Sequence, residues 1–312
     1  MAARLDAMQS VLATAGAHAQ LIEELTWVLV IGSTAIFALV MALLWYALAR
    51  GPSPIASRRW LIGGGIAFPA VALAALLVYA LIVTNDLSAH ATDSALTIRV
   101  TGKRWWWEVR YAHPERGDAL VTSANEIHVP VGRDVRLLLD TEDVIHSFWV
   151  PSLSGKVDMI PGRVNHLVLR AQRAGVYRGQ CAEYCGAQHA HMALYVVAHE
   201  PAEFERWLER EARPAAEERS APAQRGRALF TSVGCAQCHS VRGTSAAGRL
   251  GPDLTHIASR LSLAAGMLEN NAGTLAGWIA NAQALKPGNL MPSMKVSAED
   301  LHALTAYMQS LQ

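Results

Sequence analysis

Two stretches of the 312-residue chain, Leu25–Ala49 and Trp60–Asn85, contain no Asp, Glu, Lys or Arg. Each exceeds the roughly 20 apolar residues that cross a bilayer as a helix. Inside lipid the backbone must satisfy its own hydrogen bonds, so such runs are restricted to helix. Trp27, Trp45 and Trp60 stand near the run ends, where amphipathic rings favour the membrane interface. The connection RGPSPIASRR holds Arg50, Arg58 and Arg59 and no acid, which marks it as cytoplasmic by the positive-inside bias. Residues 21–86 are therefore expected to form a two-helix transmembrane hairpin. Both termini then lie on the outer face, with 1–20 an external segment whose patchy apolar run does not make a distinct signal peptide. The chain is 52% hydrophobic and 17% charged, greasier than an ordinary soluble domain, and most of that apolar excess sits before residue 86. A net charge of +1 gives no basis for nucleic-acid binding.

After residue 90 the pattern changes to period two. ALTIRV, EIHVPV, DVRLLLD, HLVLRA and ALYVVAH are short runs of β-formers, punctuated by Gly102, Gly132, Gly162 and Gly175. Strands at this spacing predict a compact all-β sandwich or barrel over 90–201. Side chains alternate along a strand, so one ring of Trp105–Trp107 must face away from the core. Trp105 is the choice made here.

The four cysteines fall in two close pairs, Cys181/Cys185 and Cys235/Cys238. Pairs so close staple little chain, and histidines beside them point to metal or haem chemistry. The first pair lies in GQCAEYCGAQHAHM, residues 179–192. On a helix Cys181, Cys185 and His189 would share a face, but Gly186 interrupts it and β-patterned runs flank it. A disulfide would leave the histidine and methionine without a reason. Zinc on two Cys and two His is a stronger rival. Copper accounts for more of the residues, because thiolate, thioether and imidazole all suit it. His146, in DVIHSFWVP, adds an imidazole from an upstream strand end. With Cys181, Cys185, His189 and Met192, the set exceeds what one copper needs. Two coppers sharing both thiolates would use all of it. His191 is left outside the set.

Residues 202–222 are charged, Ala-rich and Pro-punctuated, and read as a linker that can hold a short amphipathic helix over Phe204–Arg213. Over 223–312 the pattern is helical, with runs at Gln224–Val233, Thr274–Ala284 and Ser297–Gln312. Ser297 and Asp300 form a capping-box-like start. Met267 stands in a helix-like run and is expected to be core. Cys235-x-x-Cys238-His239 is the c-type haem attachment pattern, with His239 as the iron ligand. A thioredoxin-like redox pair would lack the adjoining histidine and need a βαβ pattern. A methionine as sixth ligand raises the potential. Met291 and Met294 in NLMPSMK compete for that position.

The pattern Cys181-x-Glu183-x-Cys185-x-x-x-His189-x-x-Met192 resembles the dinuclear copper A motif of cytochrome c oxidase subunit II. The likeness extends to DVIHSFWVPSLSGKVDMIPGRVN (143–165), WWWEVRY (105–111) and the two preceding spans. It implies a cupredoxin-like sandwich in which Cys181 and Cys185 bridge two coppers. His146 and His189 bind one each, Met192 caps one, and the Glu183 carbonyl caps the other. It also implies that the Glu183 carboxylate binds magnesium at the catalytic subunit, and that electrons enter through Trp105. The C-terminal part resembles class I cytochromes c. There the axial Met commonly precedes Pro, as Met291 precedes Pro292, and the GPDL turn brings Pro252 near the proximal histidine.

Together the two resemble caa-type oxidases. That resemblance implies an electron-transfer subunit with no oxygen-reducing site of its own. Its partners would be catalytic subunit I and other oxidase subunits, with the copper and haem domains on the periplasmic side of a bacterial inner membrane. The external donor would be a c-type cytochrome or a quinol-oxidising complex. One departure from the family is the lack of any carboxylate between Glu24 and Asp86, where some members place a glutamate at a proton-channel mouth. Two alternatives remain at this point: a membrane-anchored copper-delivery protein, and an electron shuttle without an oxidase.

Overall fold

The computed structural model describes residues 9–50, 57–87, 96–112 and 119–312. The chain forms two units, His18–His90 and, separately, Met1–Ala17 with Ala91–Gln312. In the first unit, helix α1 (Ala17–Arg50) is followed by α2 (Ser57–Ile62) and α3 (Phe68–Leu87). A π-helical turn, Gly63–Ala67, joins α2 to α3. Three consecutive glycines lack the side chains that would otherwise crowd such a widened turn. Leu, Val and Phe side chains are exposed all round these helices; Phe37, Leu48 and Val71 are examples. Helices apolar on every side need a solvent that is itself apolar. Two helices here have the length and hydropathy to cross a membrane. Most of the arginine-flanked connection, residues 51–56, lies outside the described residues.

The second unit holds two domains. The β domain stacks two five-stranded sheets. The strands are β1 (Leu96–Lys103), β2 (Trp106–Ala112), β3 (Ala119–Ala124), β4 (Glu126–Pro130), β5 (Val135–Thr141), β6 (His146–Trp149), β7 (Val157–Met159), β8 (Asn165–Leu169), β9 (Gly175–Cys181) and β10 (Ala193–His199). One sheet runs β3-β2-β1-β5-β8 and the other β4-β10-β9-β6-β7. β1 pairs antiparallel with β2 and parallel with β5; β10 pairs antiparallel with β9 and parallel with β4. In β5, Val135, Leu137 and Leu139 are fully buried and their neighbours are not, which is the period-two pattern of a strand with one face on the core. Residues just before α1 also join this domain: the Ala15 N–H donates to the Ser152 carbonyl (2.7 Å), and Gly16 bridges to Ala171.

Helix α4 (Pro201–Glu211) follows β10 directly and buries Phe204 and Trp207 in the β-domain core. The C-terminal domain begins at α5 (Ala221–Ser232), capped by the Ser220 hydroxyl. Its other helices are α6 (Ala272–Leu285) and α7 (Ala298–Ser310), the latter capped by Ser297 on the Asp300 N–H. α5 and α7 cross at Gly226, where a Cβ would meet the Ala303 carbonyl oxygen at 2.1 Å.

The helix-like run around Met267 is not a helix. Residues 262–269 form a hairpin of β11 (Ser262–Leu263) and β12 (Leu268–Glu269). Its tip places Ala264, Ala265 and Gly266 at positive φ. That geometry ends any helical period, and Met267 is only half-buried. Gly102 likewise does not punctuate: it lies inside β1, and a Cβ there would come within 2.8 Å of the His146 ring.

Candidate metal centres

The loop of residues 179–192 begins at the end of β9. Cys181 is the last residue of β9, and a short 3-10 turn, His189–His191, closes the loop before β10. His146 is the first residue of β6, which pairs beside β9. Adjacent strand ends thus bring His146 and Cys181 together although 35 residues separate them. The Cys181 and Cys185 sulfurs are 3.7 Å apart. That is far beyond a disulfide bond of about 2.05 Å, and both are free thiols. His146 Nδ1 lies 3.8 Å from Cys181 Sγ; His189 Nδ1 is 3.7 Å and Met192 Sδ 3.8 Å from Cys185 Sγ. The Glu183 carbonyl oxygen lies 3.2 Å from Cys181 Sγ. The other four predicted ligand groups therefore converge on one buried sulfur pair, which brings all six together. The Glu183 carboxylate points elsewhere, half-exposed and 3.7 Å from Lys156 Nζ.

Charge in this cluster is shared. The bond between the two thiols holds Cys181 well below the usual thiol range, with His146 helping against burial, and pushes Cys185 up. Asp143, a residue the sequence reading did not single out, accepts from His146 Nε2 at 2.8 Å. Burial disfavours charge on His146, but its bonds to Asp143 and Cys181 outweigh this and leave its pKa raised. With Nε2–H held by the carboxylate, Nδ1 is the nitrogen free to face the sulfurs. Asp143 stands three residues before His146 in the quoted motif, and that spacing was the available signal.

Trp105 corrects an expectation. It is not the ring turned away from the protein: it is 8% exposed and donates its Nε1–H to the Cys185 carbonyl at 2.9 Å. Trp107 is fully buried, and Trp106 is the half-exposed ring, beneath Lys103 Nζ at 5.2 Å. Strand alternation did not govern Trp105 because it sits in the turn between β1 and β2.

In the C-terminal domain a cavity of about 590 Å³ is lined by Cys235, Cys238, His239, Met291 and Met294, with apolar Leu275 and Ile279 among its walls. Protein interiors are packed as densely as organic crystals, so a void this large is space shaped for a group. His239 Nδ1 donates to the Pro252 carbonyl at 2.8 Å, the contact expected of the GPDL turn. Burial lowers the His239 pKa and keeps the imidazole neutral, with Nε2 available as a ligand. A Cβ on Gly251 would strike this ring at 2.5 Å. Half-buried Arg260 and buried Lys286, both on the cavity wall, carried no sequence signal. The cavity also reaches Arg104, Trp105 and Trp106 of the β domain.

The geometry agrees with what the chain is similar to. Residues 115–199 match the family described as cytochrome c oxidase subunit II, periplasmic domain, and residues 223–312 match cytochrome c. The cytochrome c oxidase subunit 2 of Branchiostoma floridae is 35% identical over 166 residues, covering 48% of this chain and 70% of that protein. The chain belongs to the cytochrome c oxidase subunit II family. The subunit 2 of Alkalihalophilus pseudofirmus is 39% identical over 229 residues, and that of Bacillus subtilis 31% over 238. Each match covers 73% of this chain and 65% of the relative, so the chain spans just under two thirds of their length. As a member of the subunit II family it joins two apolar helices, a cupredoxin-like β domain and a cytochrome c domain.

Proposed function

We propose that this chain is the electron-receiving subunit of a caa-type cytochrome c oxidase, anchored in a bacterial inner membrane with its copper and haem domains on the periplasmic side. When bound, a haem c and a dinuclear copper A centre supply one-electron chemistry between an external donor and the catalytic subunit that reduces oxygen to water with proton translocation. Cys235 and Cys238 would hold the haem covalently, with His239 and Met291 toward its iron. Cys181 and Cys185 would hold the coppers. His146, His189, Met192 and the Glu183 carbonyl complete that set. The Glu183 carboxylate is half-exposed and suits a magnesium ion at a subunit interface. Trp105, bonded to the Cys185 backbone, is the proposed electron entrance. Partners are catalytic subunit I, other oxidase subunits, an external c-type cytochrome or quinol-oxidising complex, and lipid.

One observation carries this reading: two imidazole nitrogens, a thioether sulfur and a backbone carbonyl converge on two unbonded cysteine sulfurs 3.7 Å apart. Both sulfurs lie within reach of an ion held at metal–thiolate distances of about 2.3 Å. Asp143 orients His146, burial keeps water off the sulfurs, and the Pro252 carbonyl orients His239.

The test is metal and haem analysis of the purified chain, and co-purification with a many-span haem subunit. Two coppers with a mixed-valence spectrum and one covalent haem are expected. Zinc, or a single labile copper(I), would overturn the copper assignment. For the iron, Met291→Leu is expected to remove the Met–haem band at the red edge of the spectrum and leave the copper signal intact. Loss of that band in Met294→Leu instead would transfer the ligand role.

A further inference from the structure

Lys286 closes helix α6 and begins the turn that leads to Met291. It is 2% exposed. Its ammonium donates to three backbone carbonyls from three separate segments: Trp105 at 2.9 Å, His191 at 2.8 Å and Ala264 at 2.9 Å. Trp105 precedes β2, His191 belongs to the loop bearing the proposed copper ligands, and Ala264 lies at the β11–β12 tip. Burial pulls the ammonium down to about 7. Three carbonyls can only accept, however, so the full set needs all three N–H donors of the protonated form. Among the described residues no carboxylate pairs with it; the three carbonyl dipoles offset the cost of burying the charge, and Cys185 adds an electrostatic attraction. Neighbouring bonds follow the same seam. Gln188 Nε2 donates to the Pro287 carbonyl (2.9 Å), and the Ala193 N–H donates to the Ala265 carbonyl (2.9 Å). The Leu261 N–H donates to Glu126.

We propose that Lys286 is the docking residue of this chain: its ammonium bolts the C-terminal domain onto the loop that carries the copper ligands. It is a positioning residue and touches no proposed ligand atom in the hydrogen-bond set. Removing the charge leaves buried carbonyls without donors, which costs more than the bond itself contributed. An arginine would not serve, because its planar fork cannot address three carbonyls arranged around one nitrogen.

The test uses the full-length chain in detergent. Two amides report docking directly by hydrogen exchange, Ala193 and Leu261, because each donates across the seam. Val196 in β10 and Leu304 in α7 report the two domains separately. Lys286→Met is expected to speed exchange at Ala193 and Leu261 by about tenfold or more and to leave Val196 and Leu304 at the parent rate. Lys286→Arg is expected to give no rescue. Parent exchange rates at all four amides in Lys286→Met would overturn the proposal. Should Lys286→Met unfold a domain, all four amides accelerate together. Gln188→Ala then decides: faster exchange confined to Ala193 and Leu261 supports docking at this seam, and no change overturns it. A second readout rests on the proposed redox reading. Electron transfer between the two centres after photoreduction should slow by about tenfold or more in Lys286→Met. If the parent carries no copper or haem, that reading fails, and the exchange experiment still tests the bolt.

Discussion

His146 needs three neighbours to present one nitrogen. Gly102 leaves room for its ring, Asp143 fixes its far nitrogen, and the β6–β9 pairing sets its distance from Cys181. Asp143→Asn keeps the shape but can place its NH₂ against Nε2, which would turn the other nitrogen into the N–H donor. Copper affinity is then expected to fall by about 10–100-fold, as for other buried partners of ligating histidines. Haem attachment should be unchanged. Titration of the purified variant with copper, read by its visible spectrum, checks this. The candidate ligand types were legible in the sequence because cysteine, histidine and methionine carry their chemistry by name. Asp143 and Gly102 were not, since one is an ordinary acid and the other an ordinary glycine until the fold sets them beside His146.

At the scale of elements, α4 belongs to the β domain in a way its charged sequence concealed. Phe204 and Trp207 are its buried side chains, with Leu208 partly buried beside them, and Trp207 stacks on His128 at 4.0 Å. His128 in turn hydrogen-bonds His199 at 2.8 Å. Burial, with a smaller contribution from His128, lowers the His199 pKa from 6.5 to about 4. The unfolded chain therefore binds a proton between those values that the fold refuses, so stability rises with pH across that window and is lost as pH falls from 6.5 to 4. Thermal unfolding of His199→Gln should show a shallower loss over that interval, whereas an unchanged slope would assign the dependence to other groups. The strong apolar strands β1, β4, β5, β8 and β10 were readable from alternation. Strand β9, GVYRGQC, was not: two glycines weaken its propensity. Its place is set by pairing between β6 and β10. The hairpin at 262–269 escaped for a related reason, since its tip conformation depends on what it packs against.

Across the whole molecule, residues 212–220 connect α4 to α5, while bonds far along the chain hold the two domains together. Such a connection keeps a released domain at an effective concentration in the millimolar range. Cleavage within 213–219 is therefore expected to give two fragments that migrate together when concentrated and separate on dilution; size-exclusion runs over a dilution series would show it. Domain classes were legible because each has its own period: long apolar runs, alternation, then helical spacing. Their mutual docking was not, because it rests on backbone carbonyls, which every residue possesses.

The covering of Trp105 has a consequence for any soluble visitor. The Lys286–Gly288 turn lies over this indole, and a second protein cannot touch it while the turn stays in place. On the proposed reading, a visiting carrier would then hand over its charge at the outer skin of the tail domain. Its selectivity would be written in residues there, and not in the tryptophan it never meets.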